Sequence, residues 1–581
     1  MIDERLAEAA RGAMLAFAVG DSLGWPMETR GNRVGGTRNL RPELTLREWT
    51  RREGGRHAPH EEAMPAGVYS DDTQLTLAVA RALRYESWWK YFTEVELPWW
   101  AQYELGGGGA TKRAAQSWAK RTPPWDPKGA KGYWTAGGNG AAMRVLPHCV
   151  RPDEPFEDVR RRVLADGAAT HGDPVALVGA QLYAYALWMT IQRRSPVGWA
   201  ELLDESLEGA NHWGALDPEA VPSGWGRDVG DEYFERWGRT VQDTHVLLSR
   251  ARHEMAHGAL TVDDEVLKEL GCFSPSGGAG TITAVGALYL ASRHASNPEH
   301  GLLRAAFARG ADTDTLAAMT GALLGAVHGP VWLGRATADV MDAELLGDVL
   351  VDPRPADAHA PVRYEQAAQR QVEARLAESR SGAQTELPFY GQIKVLAVHD
   401  LDNRTSWIRS WWFRNEAGQT FRVKRISRAQ SQPWSPLGRR EAIERPDAAV
   451  ERNGAEEPSG RIRSGLVVRV SDINRARAFY ETLIGLSVSR ETKSSVVLGG
   501  WLALERTSLS GQTVQTRLPL DETLSFAVTL FAPEGQFAAV ERRLKDARIG
   551  FKVTEAERGR TLRTNDPDGT PVEIRLTPQQ T

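Results

Sequence analysis

The sequence predicts a multidomain chain: a large all-α domain over residues 1–350, a small β-rich middle segment at 386–428, and an α+β domain of repeated βαβββ units at 465–577. Three observations carry that expectation. At 581 residues the chain exceeds the size at which one hydrophobic core keeps growing. Its first 350 residues or so are rich in Ala, Gly and Leu and read as almost wholly helical, whereas from Leu387 onward the pattern alternates with a period of two. A Pro-, Glu- and Arg-rich stretch without periodicity, Ala429 to Arg463, then separates the alternating segment from a new strand–helix–strand pattern that occurs twice.

In chain order, Leu6 to Leu23 is Ala-rich with no β-branched run, a good helix former, and is expected to end at Gly20-Asp21-Ser22-Leu23-Gly24. Arg30 to Pro65 carries many charges, Gly and Pro and reads as a long loop of the kind that forms functional rims. Thr73 to Tyr85 is the next helix. The glycines at 106–109 precede another, which opens on Thr111-Lys112-Arg113. Gly137-Gly138-Asn139-Gly140 is a loop whose small residues allow close approach of a second backbone or a ligand. Thr170-His171-Gly172-Asp173-Pro174 caps an apolar helix from Val175 to Ile191, residues 195–270 read as a polar insertion, and Gly280 to Ala291 resumes the helical core. A helical connector (351–385) leads to strands at Gln392–Val398, Ser406–Arg414 and Gln419–Ile426, and the stretch 429–464 is a linker.

Composition bounds the function. Hydrophobic content of 41% with 25% charged residues is that of a globular protein, and a net charge of -4 supplies no basic field to draw in nucleic acid. Two cysteines, Cys149 and Cys272, stand outside any metal-ligand spacing and point to a reducing, cytoplasmic interior. No apolar run is expected to reach membrane-spanning length, and the acidic start Met1-Ile2-Asp3-Glu4 is unlike a signal peptide.

The chemistry gathers in two clusters. Ser70-Asp71-Asp72-Thr73 opens one helix and Asp312-Thr313-Asp314-Thr315 opens another, the latter continuing into Ala317, Gly321 and Gly325 at four-residue spacing, a smooth face for a neighbouring helix. Each cluster offers three hard oxygens, the donor set of a pair of Mg²⁺ or Mn²⁺ ions. The alternative use of such residues is helix capping, which needs only one of them per helix.

These stretches occur in order with Gly12-Ala13-Met14…Gly20-Asp21…Gly24…Glu28, Gly138-Asn139-Gly140-Ala141-Ala142-Met143-Arg144 and Thr170-His171-Gly172-Asp173. Together they resemble the ADP-ribosylglycohydrolase family over roughly the first 350 residues. The resemblance implies an all-α fold with a binuclear Mg²⁺ or Mn²⁺ centre, and hydrolysis of the glycosidic bond between ADP-ribose and an acceptor, an ADP-ribosylated protein or other molecule. It implies Ser70, Asp71, Asp72, Asp312, Asp314 and Thr315 as metal ligands, the first standing where many relatives have Thr. Glu28, with Asp72 and Asp314, takes catalytic roles. Asp21, which follows the expected helix end, supports or caps the site on the substrate side, His171 backs it, and Thr111, Gly138, Asn139 and Gly140 lie along the diphosphate. Two other readings are a non-catalytic nucleotide or small-molecule binder, and a resistance or detoxification protein with a ligand-sequestering C-terminal domain.

Residues 465–577, with Asp566-Pro567-Asp568-Gly569 as a hairpin before the last strand, resemble the glyoxalase/bleomycin-resistance (vicinal oxygen chelate) superfamily. Metal-dependent members place His or Gln early in the first strand, where this chain has Gly465 and Leu466, and Leu524–Ala527 has no His either. Glu573 matches the position of a family ligand, and Glu505 is the candidate for another. Two carboxylates without nitrogen ligands make a poor glyoxalase site, which implies a metal-free binding or dimerisation module.

Overall fold

The computed structural model divides into two compact units, residues 1–449 and 450–581. It describes residues 4–28, 33–34, 41–54, 58–193, 197–225, 230–256, 261–351, 362–401, 403, 405–428 and 433–434 of the first, and in the second 477–478, 549 and the strand and helix residues named below.

The first unit is built on one helix pair. α1 (Glu4–Glu28) and α9 (Thr313–His328) lie along each other over most of their lengths. A β-carbon built on Gly24 would stand 2.1 Å from the Thr313 carbonyl oxygen, and one on Gly325 2.1 Å from that of Gly12, so only glycine lets the two backbones meet. The expected end of α1 at Gly20–Gly24 is therefore corrected. The helix runs on through Pro26 to Glu28, because its glycines are packing contacts and not breaks.

Around this pair stand α2 (Asp71–Ala82), α3 (Gly109–Ala119), α4 (Phe156–Ala168), α5 (Pro174–Gln192), α6 (Asp231–Met255), α7 (Gly280–Arg293) and α8 (Pro298–Ala306). Asp173 caps α5, its carboxylate accepting from the Val175 N–H at 3.0 Å. By length and composition α5 is apolar enough to cross a bilayer, which the sequence was not expected to hold, but 78% of its apolar window is buried within the domain. A helix apolar all round is then a core helix packed between α4, α6 and α7. The polar stretch 195–270 is likewise no irregular insertion. It carries the 25-residue α6, whose stripe of Tyr233, Trp237, Thr244, Leu248, Ala251 and Met255 is buried.

The expected long loop at 30–65 contains a three-stranded antiparallel sheet, β1 (Arg33–Val34), β2 (Trp49–Glu53) and β3 (His60–Met64). Its charged residues disguise the alternation, since Arg51 stands opposite Glu62 and Arg52 opposite Glu61, while Trp49 faces Met64 and both are buried. Beyond residues 352–361, which lie outside the described set, α10 (Gln366–Glu378) leads into a four-stranded antiparallel sheet: β4 (Gln384–Leu387), β5 (Gly391–Leu401), β6 (Trp407–Asn415) and β7 (Thr420–Ser427), in that spatial order. This sheet shares the first unit with the helices: Trp412 packs in one cluster with Trp25, Trp49, Met64, Val68 and Leu105.

The second unit holds two four-stranded sheets of the same design. β8 (Leu466–Val470), β9 (Val488–Glu491), β10 (Ser495–Leu498) and β11 (Leu502–Arg506) run in the order β8-β11-β10-β9, with β8 and β11 parallel. β12 (Val528–Ala532), α11 (Glu534–Asp546), β13 (Phe551–Ala556), β14 (Gly559–Asn565) and β15 (Pro571–Leu576) repeat it as β12-β15-β14-β13, again with the outer pair parallel. Of the expected helix from Ile473 to Leu483 only residues 477–478 are described, and they are helical; the hairpin at 566–569, Gly465, Leu524–Ala527 and nearly all of the linker fall outside the described residues.

Candidate active site

The α1–α9 contact places both helix-start clusters beside the end of α1. Asp71 and Asp72 open α2, Asp312 stands at the N-cap position of α9 without a side-chain capping bond, Asp314 lies in its first turn, and all but the partly exposed Asp312 are buried. One carboxylate oxygen each from Glu28, Asp312 and Asp314 lies within 4.8 Å of the others. Because α1 continues through residue 28, Glu28 joins the cluster directly, and it is the member of this trio most open to solvent.

The electrostatics are those of like charges in a recess. Burial and then the charges of Glu104, Asp21, Glu28 and Asp312 push Asp71 well above the ordinary carboxylate range. Asp72 is raised by burial, Asp21, Asp71 and Asp312 against a hydrogen bond from Thr315, and Asp314 by burial, Glu28, Asp312 and Asp72. Burial and Asp312 push Glu28 up to about 7, with Arg51 pulling it down. Asp72 Oδ1 is buried with no hydrogen-bond partner among the described residues, a position that normally costs about 1–3 kcal/mol.

Capping and ligand chemistry coexist here. Ser70 caps α2, its Oγ accepting from the Asp72 N–H at 3.2 Å and donating to Asp72 Oδ2 at 3.3 Å. Asp21 sits inside a helix, not after its end, and is fully enclosed. Its Oδ1 accepts from the Ser70 N–H at 2.9 Å, and its Oδ2 from the Thr73 N–H at 3.1 Å and the Thr73 hydroxyl at 2.6 Å. The structure gives it the supporting place, holding the start of α2 against α1; burial raises its carboxyl to about 6. In the other cluster the Thr315 N–H donates to Asp314 Oδ1 at 2.9 Å.

The substrate-side candidates adjoin the acids. Asn139 Nδ2 donates to Asp312 Oδ2 at 2.9 Å and to Thr283 Oγ1 at 3.2 Å, tying the 137–140 loop to the α9 cluster. Gly138 bridges to Ala279, with the Asn139 N–H on the Gly278 carbonyl at 2.9 Å. A β-carbon on Gly278 would stand 2.8 Å from Asp312 Oδ2. The run Ser276-Gly277-Gly278-Ala279-Gly280 is thus a wall of the site that sequence reasoning passed over, although its glycine density is the signal that marked the other two loops.

Gly140 lies between Thr111 and His171, since its β-carbon would be 3.0 Å from both Thr111 Oγ1 and His171 Cε1. Behind it a buried network fixes the histidine. Arg144 donates to Asp166 Oδ1 at 2.7 Å, to the Gly140 carbonyl at 2.5 Å and to Thr170 Oγ1 at 2.8 Å, and His148 Nε2 meets Asp166 Oδ2 at 2.9 Å. Thr170 Oγ1, accepting from Arg144, has its own proton for His171 Nδ1 at 2.7 Å. Burial, reinforced by Arg144, pulls the imidazole down to about 3, so His171 is neutral with its proton on Nε2. Arg144, Asp166 and His148 are the supporting residues that carried no role in the sequence reading.

A family model described as ADP-ribosylglycohydrolase matches residues 2–357. A search of curated proteins gives no match. Among solved structures, the chain is similar to an ADP-ribosylglycohydrolase-related protein complex at 20% identity, covering 60% of this chain and 97% of that one with a TM-score of 0.35. It is also similar to a glyoxylase/bleomycin resistance protein/dioxygenase domain from Frankia sp. EAN1pec, at 18% identity over 22% of this chain and 96% of that one, TM-score 0.17. A glyoxalase/dioxygenase from Nostoc punctiforme matches at 19% identity over 22% and 99%, TM-score 0.17.

Proposed function

The chain belongs to the ADP-ribosylglycohydrolase family, hydrolases acting on ADP-ribose glycosyl bonds, and from that premise we propose a metal-dependent hydrolase that removes ADP-ribose from a modified protein or other acceptor. The observation that carries this reading is the buried Asp72 Oδ1, without a hydrogen-bond partner among the described residues where the α2 and α9 carboxylates converge. Ser70, Asp71, Asp72, Asp312, Asp314 and Thr315 would hold two divalent cations, Mg²⁺ or Mn²⁺, whose hard-oxygen preference matches this donor set. Such ions, when bound, supply an acidified water and orient the ribose hydroxyls.

The chain's own residues do the rest. Glu28, the most solvent-open of its trio with Asp312 and Asp314, would meet the water or the leaving group as general acid–base. Asp72 and Asp314 hold the reacting region by their carboxylates, and Asn139 fixes the rotamer of Asp312. Beside Gly140, the Thr111 hydroxyl and the His171 Nε2–H are donors suited to phosphate oxygens, and a histidine that stays neutral binds them without exchanging its proton. The second unit serves as a binding or dimerisation module. Two buried free thiols suit a cytoplasmic setting.

The test is release of free ADP-ribose from an ADP-ribosylated arginine substrate with Mg²⁺, with Mn²⁺ and with EDTA, beside the Asp312→Ala, Asp314→Ala double variant. Metal-dependent release that the variant lacks is the expected result. No release from arginine-, serine- or nucleic-acid-linked substrates, together with no Mn²⁺ binding, would sink the enzyme reading.

A further inference from the structure

The family match ends at residue 357, yet the segment carrying Asp71 and Asp72 is gripped from later in the chain. Tyr69, buried and two residues before Asp71, donates its hydroxyl to Asp342 Oδ2 at 2.7 Å. The same carboxylate accepts from the Thr420 N–H at 2.7 Å, the Thr420 hydroxyl at 2.6 Å and Arg414 Nη2 at 3.1 Å. Asp342 therefore has one donor from the approach to α2 and three from β6 and β7. It sits at φ 60°, a left-handed conformation that a non-glycine residue keeps where surrounding bonds over-determine it. The neighbouring Met341 N–H donates to the Gly67 carbonyl at 2.9 Å, and the Ser22 hydroxyl of α1 reaches that carbonyl at 3.1 Å.

Two further links run the same way. Arg81 of α2 donates to Gln419 in the β6–β7 turn and pairs with Glu96 at 2.7 Å. Trp412 of β6 packs in one cluster with Trp25 and Leu105, and Gly106, next to Leu105, approaches both Trp25 and Asp71 Oδ1.

We infer that the β-rich segment is part of the catalytic apparatus: through Asp342 and Tyr69 it sets the position of Asp71 and Asp72, making Asp342, Tyr69 and Thr420 positioning residues for the metal-ligand segment. The inference rests on the ligand reading given above for Asp71 and Asp72. A carboxylate that orders a ligand segment from outside resembles the outer-shell partners whose loss costs about ten- to a hundredfold in metal affinity or activity.

The experiment compares the full-length chain with Asp342→Asn, Tyr69→Phe and Thr420→Val, and with Arg425→Gln as a control on the same strand. Mn²⁺ affinity by titration, kcat and KM, and hydrogen exchange of residues 69–76 are measured at temperatures where each variant is folded. Asp342→Asn is expected to bind Mn²⁺ about ten- to a hundredfold more weakly. Its kcat falls while KM for the ADP-ribosylated substrate changes little, and exchange at 69–76 is faster. Tyr69→Phe and Thr420→Val show smaller shifts in the same direction, and Arg425→Gln none. Folded variants with wild-type Mn²⁺ affinity, kcat and exchange at 69–76 would overturn the inference. A wild-type chain that binds no Mn²⁺ would instead overturn the ligand reading, while the exchange measurement still decides whether β6 and β7 order the segment.

Discussion

Two acidic clusters in the first unit are alike in spacing and opposite in their surroundings. Glu28, Asp312 and Asp314 bring ligand atoms within 4.8 Å of one another, and so do Glu53, His60 and Glu62. In the first, the neighbours are more carboxylates, and burial with mutual repulsion pushes Asp71, Asp72 and Asp314 up. In the second, Arg422 Nη2 lies 3.0 Å from Glu53 Oε2 and also pairs with Glu62, while Lys424 pairs with Glu53. Burial raises Glu53, but the His60 hydrogen bond and the charges of Arg422, Arg51 and Lys424 outweigh it and hold the group well below its usual range. Three ligand atoms at metal-like spacing are therefore not enough to mark a metal centre. The counter-charge decides. The Glu53–Glu62 cluster already holds protein cations and fastens β2 and β3 to β7; in the Asp72–Asp314 cluster carboxylates outnumber the one cation, Arg51, that acts on Glu28, and Asp72 Oδ1 has no hydrogen-bond partner among the described residues.

The most direct way to break this contrast is to remove acids from each cluster. Asp312→Ala with Asp314→Ala is expected to abolish Mn²⁺ binding and lower turnover by more than about a hundredfold, checked by titration and by ADP-ribose release. Glu62→Ala should do the reverse, leaving Mn²⁺ stoichiometry unchanged but destabilising the fold. Glu62 and Arg422 are 0% and 4% exposed, and stripping one partner from a buried ion pair costs about 3–4 kcal/mol where a second carboxylate remains. Urea unfolding measures it, and a Glu62→Ala chain as stable as the parent would show that the cluster contributes no net attachment.

Part of this was legible in the sequence because the candidate ligands are local. Asp71-Asp72 and Asp312-Thr313-Asp314 are short motifs at helix starts, and the stripe of Ala317, Gly321 and Gly325 foretells a close helix partner. What the sequence could not show were pairings at long separation. Glycines inside α1 look like a helix end until α9 is seen against them, and Asp21 then changes from a residue after a helix to one buried within it. The strands β2 and β3 hide behind their charges because Arg422 and Lys424, some 360 positions later, neutralise them. The wall at Gly277–Gly280 and the Asp342 clamp have the same cause: each acquires its role only from a partner distant in sequence.

The helix contact offers a finer test, because it brings the acids together without touching them. Gly24→Ala would drive a methyl group against the Thr313 carbonyl, 2.1 Å away in the present geometry, one residue from both Asp312 and Asp314. Overpacking of this kind costs about 2–3 kcal/mol. The expected signature is a lower Tm together with weaker Mn²⁺ binding, whereas Glu62→Ala lowers Tm alone. Equal losses of Mn²⁺ affinity in both variants would mean that the cluster responds to global stability and not to the spacing of α1 and α9.

A third group of ligand-type side chains, Asp263, His294 and His300, sharpens the rule with the smallest effect. Asp263 accepts from the Tyr289 hydroxyl at 2.9 Å and from Arg304 Nε at 3.2 Å, and meets His294 Nε2 at 3.0 Å. Burial raises its carboxyl, but the His294 hydrogen bond and charge, Tyr289 and Arg293 bring it down to about 2. A carboxyl depressed on folding from 3.8 to about 2 binds its proton more tightly in the unfolded chain. Its contribution, about 1–2 kcal/mol after allowing for partial solvent access, is present above pH ~4 and is lost as pH falls through ~2. Asp263→Asn should accordingly lower stability at pH 7 and approach the parent as the pH falls toward that range, with no change in Mn²⁺ stoichiometry at any pH. A variant that lost a bound cation would make this cluster a second metal centre and show that protein cations do not exclude one.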